Sequence, residues 1–244
     1  MIGSGTLVNM AAIVAGGGIG LLARNGLPER IRKTTLSGIG LAVLFVGISG
    51  TLTQMLKVEG QNLYSEQTML MILSLVIGSL VGSALNLELR LEQVGGRLQR
   101  LFRATGQNST FVEGFVSATI LYCVGAMAIL GALEDGLTGN ATTLYAKAIL
   151  DGTVAIFFTA TLGSGVFLSA LSVGAYQGLI TLMARSLQPY MSDALVSQMS
   201  LVGSVLIAGI GVNFLSEKKI AIGNLLPAVF VPVLYAAAKA VWPF

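Results

Sequence analysis

The sequence predicts an all-α bundle that crosses a membrane about eight times. Three observations carry this. Only 10% of the 244 residues are charged, against about 25% in a soluble domain. Mean hydropathy is +0.82. Apolar stretches of about 20 residues, the length of a membrane helix, recur from end to end. They are continuously apolar and do not alternate, which excludes a porin-type barrel.

The spans fall at about 2–23, 34–56, 68–86, 111–132, 142–162, 164–184, 195–214 and 220–241. The first is too long for a signal-peptide core and lacks a basic leader, so it reads as a span. It holds Gly16 and Gly20, and the third holds Gly78 and Gly82. Such GxxxG pairs allow tight helix packing, either within the protomer or across a homodimer. Gly16-Gly17-Gly18-Ile19-Gly20 lacks the strand, turn and lysine of a nucleotide loop. The fifth and sixth spans form one run broken by Gly163-Ser164-Gly165, read as a tight hairpin; seven spans result if it is not one. Pro227 and Pro232 predict a kink or break in the last span.

Segment 87–103 is the one sizeable polar stretch. Leu87, Leu91, Val94, Leu98 and Leu101 share a helical face, with Glu88, Arg90, Glu92, Arg97 and Arg100 elsewhere. An amphipathic helix on the inner membrane surface results, with a dimerising coiled coil as the alternative.

Basic residues sort by loop. Arg24, Arg30, Arg32 and Lys33 follow span 1; Arg90, Arg97, Arg100 and Arg103 follow span 3; Lys218 and Lys219 follow span 7. Alternating spans put all three loops on one side, the cytoplasm, and both termini outside. Glu59, Glu66, Glu134, Asp135 and Asp193 fall on the outer side, with Tyr64, Tyr145, Tyr190 and Trp242 as an aromatic belt. A weak repeat, Leu22–Pro28 with Leu36–Leu44 against Met183–Pro189 with Met199–Ile207, would be inverted and would relate spans 1–3 to 6–8. Inverted repeats underlie many transporters.

Absences bound the chemistry. With no histidine and one cysteine, Cys123, the usual zinc, haem and thiol-redox sites lack ligands. A Ser-His-Asp triad is impossible, no nucleophile stands out, and no cofactor is expected. The net charge of +3 reflects topology, with no basic patch for nucleic acid.

Lys147 and Asp151 stand one turn apart inside an apolar run. A charge at the centre of a membrane helix costs roughly 2.5–3.5 kcal/mol on insertion scales. At 1.5 Å per residue, Lys147 lies about 9 Å and Asp151 about 15 Å into the fifth span. Asp151 then binds a cation or carries a proton with Lys147 as exchangeable partner, or the pair neutralises itself against the bundle. Glu113, Gln177, Asn9, Asn213 and Asn224 are the other polar candidates. Each has a bland alternative: a solvated helix end for Glu113, an interhelical hydrogen bond for Gln177. Glu134-Asp135 reads as a charged helix end facing water.

Several motifs carry a resemblance. Gly5-Thr6-Leu7-Val8-Asn9, Gly26-Leu27-Pro28-Glu29-Arg30-Ile31, Phe111-Val112-Glu113-Gly114-Phe115, Leu150-Asp151-Gly152, Tyr176-Gln177-Gly178 and Gly223-Asn224-Leu225-Leu226-Pro227-Ala228 are among them, as is the run from Cys123 to Gly131. The chain resembles the YdfK/YqgA-type bacterial inner-membrane proteins, a domain of unknown function, from about residue 5 to 235. The resemblance implies a bacterial plasma-membrane location and supplies no substrate. It also implies that the family's glutamate, lysine and aspartate fall on Glu113, Lys147 and Asp151. Where the family usually has glutamine this chain has Glu134, the poorer candidate.

The expected function is a small secondary transporter or channel-like permease for an ion or small polar solute. A non-transporting scaffold with a structural ion pair is the alternative.

Overall fold

The computed structural model describes residues 1–24, 28–101, 108–123 and 125–241. They form an all-α, membrane-type bundle with one small hairpin. The chain divides into two compact units, Met1–Ile39 with Arg90–Tyr190, and Gly40–Leu89 with Met191–Phe244.

The first unit is built on α1 (Ser4–Arg24), α5 (Asn108–Cys123), α6 (Ala126–Thr138), α7 (Thr142–Leu162), α8 (Gly165–Leu182) and the single turn α9 (Ala184–Leu187). Glycine governs how α1 meets α7. A Cβ on Gly16 would overlap the Gly152 carbonyl, and one on Gly20 would overlap that of Ile156. Near the start of α1, Gly5 lies against Leu144. Residue numbers rise together along the contact, so the two helices are parallel. α8 runs antiparallel to α1: Gly17 faces Phe167 and Gly174 faces Met10. α5 and α6 run parallel to α8, with Gly165 on Phe111 and Gly136 on Thr181.

Gly163 ends α7 with φ +91°, a backbone state that favours glycine, and α8 starts at Gly165. The fifth and sixth spans are therefore separate helices. Phe111, Phe115 and Leu168 form a buried apolar cluster between α5 and α8.

The second unit takes in most of α2 (Glu29–Met55), a hairpin, α3 (Thr68–Ala84), α10 (Asp193–Leu215), α11 (Ile222–Leu225), a 3-10 turn (Leu226–Phe230) and α12 (Val231–Val241). α2 and α10 are antiparallel, with Gly40 on Phe214, Gly47 on Ala208 and Gly50 on Ser204. α3 runs antiparallel to the last segment, Gly78 against Ala228 and Gly82 against Asn224. The helix after α3 is α4 (Leu87–Leu101).

The predicted GxxxG faces are thus both occupied inside their own units. Within each unit, the packed pairs named above have the relative directions that alternating crossings demand.

Five helices are long and apolar enough to cross a membrane, or up to seven if each bent pair counts as one span. The expected fourth span is not continuous: α5 and α6 meet at a 59° bend. Gly125 is the N-cap of α6, in an extended conformation open to any residue. The last expected span is composite, because Pro227 opens the 3-10 turn and Pro232 follows it.

The hairpin was not expected. β1 (Leu56–Glu59) and β2 (Asn62–Ser65) pair antiparallel, with Glu59 opposite Asn62. Gly60, at φ +64°, takes the first of two turn positions, the type II′ pattern that favours glycine. An exposed Lys57–Glu66 bridge of 2.7 Å flanks it. Segment 87–101 is helical as expected. Val94, from the expected apolar face, is exposed, and so is Leu89. Residues 102–103 lie outside the described residues, as do 25–27 of the repeat and Trp242 of the belt. Tyr64, Tyr145 and Tyr190 are exposed.

Candidate functional site

Lys147 and Asp151 lie on α7, one turn apart, and meet as an ion pair with Nζ 2.9 Å from Oδ1. Each is only 6% exposed. The parallel glycine contact between α1 and α7 brings the short side chain of Asn9 within reach. Its Nδ2 donates to the other carboxylate oxygen, Asp151 Oδ2, at 3.0 Å. The same amide donates to Gln177 Oε1 on α8 at 3.3 Å. Asn9 and Gln177 are wholly buried. Four polar side chains from three helices thus form one chain, Lys147–Asp151–Asn9–Gln177.

The direction of that chain is fixed by chemistry. A carboxylate only accepts, so Asn9 must turn its NH₂ toward Asp151. Asn9 then donates to Gln177, which must answer with its oxygen. The free ends follow: Asn9 Oδ1 and Gln177 Nε2 have no hydrogen-bond partner among the described residues. Thr6, three residues before Asn9 on α1, is buried with its hydroxyl likewise unpaired.

Tyr122 adds a fifth group. It is the penultimate residue of α5, at the break before α6. The side chain is 1% exposed, and its hydroxyl has no partner among the described residues. Tyr122 and Cys123 end α5, which packs against both α7 and α8. Discontinuous helices beside a buried polar site are the device by which transporters build binding sites. A buried unpaired polar group costs about 1–3 kcal/mol. Asn9 and Gln177 each leave one such atom unpaired among the described residues, in the chain that ends on the ion pair.

The remaining sequence candidates do not join this cluster. Glu113 lies on α5, half-buried, nine residues before Tyr122 and so roughly 13 Å along the helix. Asn213 and Asn224 belong to the second unit. Asn213 staples the turn after α10, accepting from Ile220 N at 2.7 Å and donating to Ile220 O at 2.8 Å. Asn224 accepts the Glu88 N–H at 2.9 Å, and the Gly223 N–H donates to the Glu88 carboxylate. In the structure both residues brace local backbone.

Asp135 corrects the expectation of a charged helix end in water. It is wholly buried and accepts from Gly3 N at 3.2 Å and Gly5 N at 3.0 Å. A carboxylate on the free N–H groups at the start of α1 satisfies them and suits the helix dipole. Glu134 ties down the loop to α7, accepting from Asn140 at 2.6 Å and Thr143 at 2.9 Å. Among the described residues, no group of three or more His, Cys, Asp or Glu could hold a metal.

A family model described as "Protein of unknown function (DUF554)" matches residues 4–237. The chain belongs to the DUF554 family. Two relatives from bacteria are similar along nearly their whole length. One is "Uncharacterized membrane protein YdfK" of Bacillus subtilis, 32% identical over 228 residues, 93% of each chain. The other is "Uncharacterized protein YqgA" of Escherichia coli, 30% identical over 241 residues, 98% of each chain. No solved structure matches. This DUF554 chain shares with YdfK the membrane character that its apolar helices express.

Proposed function

We propose that this protein is a secondary transporter or channel-like permease for a small polar solute or ion, with its site at Asn9, Lys147, Asp151 and Gln177. The observation that carries the reading is the buried ion pair whose supporting amides leave a donor and an acceptor unpaired. Intramembrane ionisable residues mark pathways more often than they serve packing. The break between α5 and α6, both of which pack against α7, supports the same reading. Lys147 is the exchangeable partner of Asp151: it holds the carboxylate until a solute replaces it.

The protein would sit in the inner membrane, with the loops after α1, α3 and α10 in the cytoplasm and both termini outside. The inverted repeat is part of this proposal. Leu36–Leu44 and Met199–Ile207 fall in α2 and α10, and those helices pack antiparallel.

Purified protein in liposomes should move a solute, and Asp151→Asn should abolish that movement. Unchanged flux in the variant would remove Asp151 from the pathway.

A second reading is a membrane scaffold, in which the four-residue chain locks α1, α7 and α8 together. It draws on the short 2.9 Å Lys147–Asp151 contact. Exchanging the charges, Lys147→Asp with Asp151→Lys, separates the two. A scaffold keeps its stability and partners, whereas a solute site fails.

A further inference from the structure

The groups around the ion pair include both hydrogen-bond acceptors and donors. On one side stand acceptors, the Asp151 carboxylate and Asn9 Oδ1. On the other stand donors, the Lys147 ammonium and Gln177 Nε2, with the Tyr122 hydroxyl able to donate or accept. Asn9, Gln177 and Tyr122 are at most 1% exposed, yet each keeps a polar atom without a partner among the described residues. They come from α1, α8 and α5, so no single helix explains their gathering.

We infer that this cluster recognises a small zwitterion: a net-neutral solute with an ammonium and a carboxylate a few ångström apart, as in a free amino acid. The inference rests on the transport reading above and names its substrate class. Charge is the first argument. The site is neutral as it stands, one carboxylate against one ammonium. A bare cation would satisfy only the acceptors and leave the Lys147 ammonium, one turn away, repelling it. A bare anion would leave Asp151 in the mirror position. Neither leaves a buried site in balance.

A zwitterion instead enters between the two charges. Its ammonium takes the place of Lys147 on Asp151 and turns a second N–H to Asn9 Oδ1. Its carboxylate takes the place of Asp151 on Lys147 and accepts from Gln177 Nε2 and the Tyr122 hydroxyl. Both charges of the pair exchange one partner for another, no net charge enters the bundle, and the unpaired atoms of Asn9, Gln177 and Tyr122 are satisfied. No covalent step is involved. The hydrogen-bond order fixed by Asp151 is what puts the free acceptor on Asn9 and the free donor on Gln177.

The test is thermal unfolding of the purified full chain in detergent, at constant ionic strength, with three groups of probes. Zwitterions are the free amino acids and γ-aminobutyrate. Cations are Na⁺, K⁺ and methylammonium; anions are chloride and acetate. One or more zwitterions should raise the Tm saturably, and no simple cation or anion should. Tyr122→Phe should weaken the responding zwitterion by roughly tenfold while leaving the unliganded Tm unchanged or higher. Gln177→Leu should weaken it comparably. Stabilisation by methylammonium or Na⁺ equal to that by any zwitterion would overturn the inference, as would no response to any zwitterion. Parallel flux of radiolabelled amino acids and of Na⁺ or K⁺ in liposomes keeps the two readings apart. Asp151-dependent cation flux without zwitterion binding sinks the substrate class and leaves transport standing. No flux of either kind and no binding sinks both.

Discussion

Tyr122 distinguishes a working site from a packing feature at the scale of single residues. Its buried hydroxyl has no partner among the described residues, so the folded state gains nothing from it. Tyr122→Phe should therefore leave stability unchanged or raise it by up to about 1 kcal/mol, while transport falls. A lowered Tm would show that the hydroxyl is structural. Asp135 makes the opposite prediction. Its carboxylate accepts two backbone N–H groups at the start of α1 while wholly buried. Asp135→Ala should cost roughly 1.5–3 kcal/mol, the range for hydrogen bonds to a charged group, read as a fall in Tm.

The sequence reveals these residues unevenly. Lys147 and Asp151 stand out because charge is rare in an apolar run, and Asn9 and Gln177 because amides are. Tyr122 carries no such signal: tyrosine is ordinary in a membrane helix, and an unpaired hydroxyl exists only in three dimensions. Asp135 is misread because an acidic pair at a helix end looks solvated. Asn213 and Asn224 resemble pathway lining in sequence, yet their partners are turn and helix-end backbone.

At the scale of elements, glycine decides which helices touch. A Cβ on Gly16 would overlap the Gly152 carbonyl, whereas one on Gly18 would meet nothing within 4 Å. Gly16→Ala should force α1 from α7, lower the Tm and pull Asn9 away from Asp151. Overpacking of this kind costs about 1–3 kcal/mol. Gly18→Ala should be neutral or stabilising by up to about 1 kcal/mol, since alanine is the better helix former. Equal effects in the two variants would contradict the packing described. Helix existence is legible from apolar length alone, and so are the turn at Gly163 and the disruption near Pro227. The α5–α6 break is not, because both halves are apolar and Gly125 is one glycine among 31. The hairpin hides for another reason. Lys57-Val58-Glu59 and Asn62-Leu63-Tyr64 are too short to show a strand period against the long helices around them.

For the whole molecule, the proposed orientation rests on the basic loops, and the structure supplies the relative direction of packed helices. Within the first unit α1 and α7 are parallel while α8 opposes α1; within the second, α2 opposes α10. These directions agree with an alternating path. Single cysteines at Gln61 and Lys218, in a Cys123→Ala background, test which side each loop occupies. An impermeant thiol reagent should label position 61 in intact cells and position 218 only after the membrane is opened. Labelling in the reverse order would invert the topology.

The central claim is that the buried pair on α7 belongs to a solute pathway. Flux across liposomes tests it most directly, comparing the unaltered protein with Asp151→Asn, a variant that keeps the side-chain shape and removes the charge. The account predicts solute movement by the unaltered protein and none by a correctly folded Asp151→Asn. Equal flux in both, or none in either across amino acids and monovalent cations, would contradict it.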